Sequence, residues 1–437
     1  MVAAIGTFLF NYLKDLQNYM SSSFKNISIF DEEKYRDYDK NPFYMLGSMT
    51  YLFWIITVAS GILLVFWYIP TPEQAYSSIL HIQHEVPFGW LIRGFHKYGA
   101  DALIVALTMR IYRIYFNAEY KKSFMVWLFA ILGLVLAMYS GLTGYLLIWN
   151  QRAFWATKVF ATFPTYLDAL PIVDLTNFGK NISHILLGGA SIGSATMTRF
   201  YGGHYMLSFI TLIFIELYFW KRGGRRINLN WKQVTFFTGI LALVAFVLPA
   251  ELGSRSDAVV TPNPILSDWY FLALYQIMKY MAPLTATLWT ALIPVVALLI
   301  PLFDRGTDVS WKGRIFWNYL GIMAMFLWIL FSILIINSFA NLDRDPPYWY
   351  LGMMAWVLFT GLWQWGKTQW GRLGVYAFVT INYLIFYVVI VIVTHRQHWL
   401  WHPMAVVFLI SFVLSELYYR NKYKAVAATT TPAQGTV

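Results

Sequence analysis

Apolar runs of about 17 to 25 residues recur along the whole of this sequence, each about as long as a helix needs to cross roughly 30 Å of hydrocarbon. Few folds suit such a chain. Without water, every backbone N–H and C=O in the bilayer must be satisfied within the protein, and runs of this length do so as helices. We read an all-α, polytopic membrane protein with about ten transmembrane helices, near 44–68, 90–116, 124–149, 199–220, 232–249, 285–303, 314–337, 350–366, 374–394 and 400–419. Composition agrees: 59% of the 437 residues are apolar or aromatic and 12% are charged, which excludes an ordinary soluble enzyme.

The formal charge of +11 does not indicate nucleic acid, because most of the 32 basic residues sit in short connections between apolar runs. Their distribution reports topology instead. Segments that should share one side of the membrane hold twenty Lys and Arg, including Lys121, Lys122, Arg305 and Lys424; the opposite set holds about eight. The positive-inside rule then places both termini in the cytoplasm of a multi-pass protein. Residues 150–198 and 250–284, too long to be turns, fall on the positive-poor outer side, where ordered loops of this length usually carry function. The chain has no cysteine, which excludes disulfides, protein-ligated Fe–S clusters and covalent haem attachment within it. Any redox chemistry here uses a non-covalent cofactor.

Two of the eight histidines lie within spans at matched depth, His96 near the outer end of the second and His204 near the outer end of the fourth. Gly61 in the first span and Gly144 in the third fall near the same level. Glycine removes the side chain where a planar macrocycle must press against a helix. The same glycines also suit simple close packing of membrane helices. Arg93, one turn toward the surface from His96, is placed to pair with a propionate. His81 and His84 beside Glu85 have plausible metal spacing, although such pairs are common in loops.

Four ordered stretches then carry a resemblance: GWLIRGFH (89–96), GYLLIWNQRAFWATKV (144–159), GGASIGSATMTRFYGGH (188–204) and TPNPILSDWYFLALYQIM (261–278). Over about residues 42–345 the sequence resembles the cytochrome b subunit of Rieske/cytochrome b quinol-oxidising complexes. The resemblance implies one outer haem, of b or a type, with iron held by His96 and His204 and its faces cleared by Gly61 and Gly144. It also implies a quinol or quinone substrate and a separate Rieske Fe–S partner, with a terminal oxidase or other respiratory subunits alongside. Residues 267–270, SDWY, stand where the family has Pro-Glu-Trp-Tyr, with Ser267 for Pro and Asp268 for Glu. Asp268 is the candidate proton acceptor and Tyr270 its companion in a quinol pocket. Read without the family, the stretch is an interfacial aromatic belt with an N-capping acid.

The second haem of two-haem relatives has its ligands fourteen residues deeper on the same helices, roughly 21 Å along the axis. Those positions are Arg110 and Tyr218 here, with Gly47 retained, Ala130 in place of the companion glycine, and Arg113 and Ser48 nearby. Neither ligand is an imidazole. Either Arg110 makes a polar contact with Tyr218 or Glu216 and no inner haem is bound, or Tyr218 ligates an unusual one.

The expected organisation is an amphipathic cytoplasmic segment at 1–43, a haem-binding four-helix bundle at 44–230, quinol-site helices and an external loop at 231–345, membrane helices at 346–424 and a disordered tail at 425–437. Two other classes compete with quinol oxidation. One is a non-catalytic haem- or quinone-binding anchor in a terminal oxidase assembly; the other is a transporter coupled through Arg110 and Glu216.

Overall fold

The computed structural model describes Asn11, Lys14 and residues 45–336, with breaks at 171–175, 223–228, 230, 263–264, 266, 280, 308 and 310–313. The chain divides into two units, 1–344 and 345–437, and every described residue belongs to the first. The spans expected at 350–366, 374–394 and 400–419, the amphipathic start apart from Asn11 and Lys14, and the tail lie outside the described residues.

Long helices succeed one another where the apolar runs predict them: α1 (Leu46–Val65), α3 (Gly89–Phe116), α4 (Phe124–Leu146), α8 (Ser208–Arg222), α9 (Trp231–Val247), α11 (Pro283–Phe303) and α12 (Ile315–Ile336). Shorter helices α2 (Ala75–His84), α5 (Gln151–Thr162), α6 (Phe178–Leu187), α7 (Ser194–Gly202) and α10 (Leu272–Lys279) lie in the connections, so that among the described residues segment 150–198 is largely helical while 250–284 is mostly irregular. The described residues contain no strand, and one antiparallel bridge joins Asn150 to Arg255. By length and composition α1, α4 and α11 are apolar enough to cross a membrane. Their outward faces stay apolar, as at Ile62, Val135 and Val296, which suits lipid rather than water.

Helices α1, α3, α4 and α8 form the bundle, with α3 packed against both α1 and α4, and α8 against α4 and α1. One core cluster lies in the half nearer α5, around Phe53, Leu107, Leu142 and Tyr270; another lies at the far end, around Ile114, Tyr120, Trp127 and Ala130. At that far end Asp304 gathers Lys121 at 2.9 Å, Arg314 at 2.8 Å and the Tyr120 hydroxyl, satisfying a buried carboxylate from both α3–α4 and α11–α12 connections. At the near end Asn150 caps α5 through its side chain and donates to Leu252 O at 2.7 Å, while Gln151 N donates to Ser254 O at 2.9 Å. Residues 250–256 are thereby fastened across the mouth of the bundle.

Candidate haem and quinol site

His96 projects from α3 and His204 from the turn between α7 and α8, and their rings face each other with centroids 6.0 Å apart and planes at 76°. Each ring is held in the same way. His96 Nδ1 lies 2.9 Å from Thr57 O on α1, and His204 Nδ1 lies 2.8 Å from Ser140 O on α4. Those carbonyls belong to the residues four before Gly61 and Gly144. A Cβ at Gly61 would come 2.8 Å from His96 Cε1, and one at Gly144 would come 2.6 Å from His204 Cε1, so both rings use room that only glycine leaves. Donation from Nδ1 fixes the tautomer and leaves Nε2 as the ligating nitrogen.

A metal between two imidazoles needs bonds of about 2 Å to each, plus roughly 1 Å from each nitrogen to its ring centre, about 6 Å in all. The ring separation matches that sum, and the donor set is the bis-His type that haem iron accepts. The residues therefore fit a haem.

His204 sits in a π-helical turn, Gly203–Leu207, that joins α7 to α8. A π turn takes in one extra residue, setting every later side chain back by about 100° relative to a straight α-helix. The fourteen-residue spacing that brings Arg110 under His96 on α3 therefore fails on α8. Tyr218 turns away to pack against Phe129, centroids 4.7 Å apart and planes tilted by 60°. Glu216 and Phe219, at twelve and fifteen residues from His204, take its place. Arg110 donates from Nη1 to Glu216 Oε1 at 2.7 Å and from Nη2 to Oε2 at 2.9 Å, and its Cζ lies 4.5 Å from the centre of the Phe219 ring. Of the partners foreseen for Arg110, the structure gives it Glu216, while Gly47 O accepts weakly from Nη2 at 3.4 Å. Arg113 Nε faces Glu119 Oε1 at 3.9 Å. Among the described residues, the level of Arg110 thus offers a carboxylate–guanidinium pair and a phenyl ring, and no imidazole.

Arg93 is buried and its guanidinium is already engaged. It donates to Gln83 Oε1 at 2.7 Å, Ala250 O at 2.6 Å and Glu251 O at 2.7 Å, tying α2 and the 250–251 strap to α3. His81 pairs with Glu85 at 2.8 Å on an exposed face.

Asp268 and Tyr270 stand together at the same end of the bundle. Asp268 begins the short 3-10 turn Trp269–Phe271, its Oδ1 accepting from Trp269 N at 3.2 Å, so the N-capping role expected from sequence is present beside any chemistry. Tyr270 is buried, and its hydroxyl lies where a side chain at Gly141 would have to stand, one turn before Gly144. Burial, reinforced by the neighbouring Asp268 and Asp101 carboxylates, raises the Tyr270 hydroxyl well above its ordinary pKa and keeps it a neutral donor. Sequence reasoning missed two residues here, Lys97 and Asp101. Lys97 Nζ lies 3.1 Å from Asp101 Oδ2 and 3.7 Å from Asp268 Oδ1, and Asp101 Oδ1 accepts from Trp269 Nε1 at 2.9 Å. Two opposite charges one turn apart inside an apolar run were the available signal.

Known proteins agree with this architecture. A family model described as Cytochrome b/b6/petB matches residues 33–221, and one described as Cytochrome b(C-terminal)/b6/petD matches residues 255–360. Cytochrome b6 of Mastigocladus laminosus is 36% identical over 181 residues, covering 41% of this chain and 80% of that protein. Cytochrome b6 of Cyanidium caldarium is 37% identical over the same shares. Among solved structures, a chain of "Hyperthermophilic respiratory Complex III" superposes with a TM-score of 0.59 at 22% identity, over 78% of this chain and 91% of that one, a likeness of fold. This chain belongs to the cytochrome b/b6 family of integral membrane, haem-binding electron-transfer subunits.

Proposed function

We propose that this chain is the haem-carrying subunit of a respiratory complex that oxidises membrane quinol at the end of the bundle bearing His96 and His204. The observation that carries the reading is the pair of facing rings, 6.0 Å apart, each resting on a glycine of a neighbouring helix. His96 and His204 would hold the iron through Nε2, with Gly61 and Gly144 leaving the room that their rings need. When bound, the haem takes up and passes on one electron at a time. Asp268 receives a quinol proton on its carboxylate, and Tyr270 donates a hydrogen bond that orients the acid or a quinone carbonyl. The excess of Lys and Arg on the opposite connections supports an orientation with this end on the outer side of the cell membrane and both termini cytoplasmic.

A quinol gives up two electrons. With no cysteine in the chain, an Fe–S cluster that takes one of them must be held by a separate Rieske-type partner. In this reading residues 44–230 are the haem-binding unit and 231–345 complete the quinol site.

The reading of one haem per chain is supported at the level of Arg110, where that residue and Glu216 join α3 directly to α8. Roughly 21 Å of helix axis then separates the outer site from the inner level without a carrier. Electron tunnelling falls steeply with distance, so the second electron leaves through another subunit.

The test is haem extraction and spectroscopy on the purified complex. One low-spin, bis-imidazole haem per chain, lost in a folded His204→Ala variant, is expected. A surviving alpha band in that variant would remove the ligand assignment, and two bis-imidazole haems per chain would remove the single-haem reading.

A further inference from the structure

Four residues close a ring beside the candidate quinol site, one link being the Trp269 backbone N–H. Lys97 reaches Asp101 at 3.1 Å and Asp268 at 3.7 Å, Asp101 accepts from the Trp269 indole at 2.9 Å, and Trp269 N donates to Asp268 at 3.2 Å. The ring bridges two elements far apart in sequence, since Lys97 and Asp101 share one turn of α3 while Asp268 and Trp269 open the 3-10 turn. Its members are partly exposed, the side chains of Lys97, Asp101 and Asp268 being 35%, 22% and 23% accessible. Simple surface pairing is worth little under such conditions. Closure changes what the contacts do: with both ends of the Asp268–Trp269 unit held by α3, the carboxylate loses its rotational freedom. Both contacts to Asp268 fall on Oδ1; among the described residues none is made by Oδ2, which remains to meet a substrate hydroxyl.

We infer that Lys97 and Asp101 are positioning residues for quinol oxidation, fixing the Asp268 carboxylate relative to Tyr270 through a closed ring with Trp269. The inference rests on the quinol-site reading of Asp268. It adds a physical account of the shorter acid: one rotatable bond fewer than glutamate brings the carboxylate within reach of Lys97, which sits next to His96 on α3. Acid and haem ligand are thereby placed from the same turn of the same helix.

The experiment compares quinol oxidation by the intact complex carrying Lys97→Met, Lys97→Arg, Asp101→Asn, Asp268→Asn and the Lys97→Met/Asp268→Asn pair. Misplacing a proton acceptor by an ångström costs roughly a hundredfold, so Lys97→Met should lower kcat by about ten- to hundredfold with KM for quinol and the alpha band little changed. Lys97→Arg should recover most of that loss, because a guanidinium still reaches both carboxylates. Asp101→Asn keeps an acceptor for the indole but gives up the charge, and should fall between them. In the Asp268→Asn background, Lys97→Met should add nothing. Equal loss in both backgrounds, or an unchanged wild-type rate, would overturn the ring as a positioning device. A shifted haem spectrum with unchanged kcat would overturn it equally, assigning Lys97 to the haem. Should Lys97→Met fail to assemble, Asp101→Asn carries the test by the same criteria. An unchanged rate in Asp268→Asn alone would instead sink the quinol-site reading beneath it.

Discussion

Arg110 and Glu216 meet inside the bundle through two near-parallel hydrogen bonds of 2.7 and 2.9 Å, with side chains 1% and 4% accessible. A bidentate pair this deep is expensive to form and more expensive to break, because removing one partner strands the other charge away from water. Glu216→Gln should therefore destabilise the subunit by about 3–5 kcal/mol, and Arg110→Met by a similar amount. The double variant Arg110→Met/Glu216→Met should recover most of it. Thermal unfolding of the detergent-solubilised complex measures all three; additive losses would show that the two side chains do not act as a pair.

Glycine at 61 and 144 is required by the rings resting on it. A methyl group 2.6 Å from His204 Cε1 forces the ring aside, so Gly144→Ala should lower the haem-to-protein ratio and shift the alpha band. Gly61→Ala, whose methyl would lie 2.8 Å from His96 Cε1, should do likewise. Gly47→Ala should leave the spectrum unchanged, since a Cβ there meets nothing within 4 Å. Equal spectra across the three would mean that the glycines serve helix packing alone.

Loss of the acid should separate catalysis from cofactor binding. Asp268→Asn removes a proton acceptor worth about 10²–10⁴-fold in rate and should slow quinol oxidation within that range while the haem spectrum stays intact. Tyr270→Phe removes one hydroxyl from a buried, well-packed ring and should cost less. Steady-state rates with an alpha-band control decide this, and a wild-type rate in Asp268→Asn would leave the segment as a helix cap.

Arg93 holds three oxygens at 2.6–2.7 Å, two of them on the 250–251 strap. Arg93→Ala should free that strap and expose residues 250–260 to proteolysis, with the alpha band weakened rather than abolished. Limited digestion of the solubilised complex, compared with wild type, measures the effect. Unchanged protection would mean that Asn150 and Gln151 hold the strap unaided.

The all-helical character and the order of the described helices were legible in the sequence, and α1, α4 and α11 also have the length and apolarity of a span, because a bilayer tests each run locally by hydropathy and length. So was the meeting of His96 with His204, since equal depth on neighbouring spans needs only the rise of a helix. What Arg110 faces was not legible at that level. Tyr218 stands fourteen residues from His204 and Glu216 twelve, and on an unbroken helix the first choice is right. One π turn at Gly203–Leu207 reverses it, because a single extra residue rotates everything beyond it. The role of Lys97 was hidden for a related reason. Its partner Asp268 lies 171 positions away on a loop whose seat on α3 is decided by the Trp269 indole, the Asn150 cap and the Arg93 strap together. Local chemistry sets which helices form and how deep each side chain lies. Only tertiary packing sets their phase, and phase determines which charges meet.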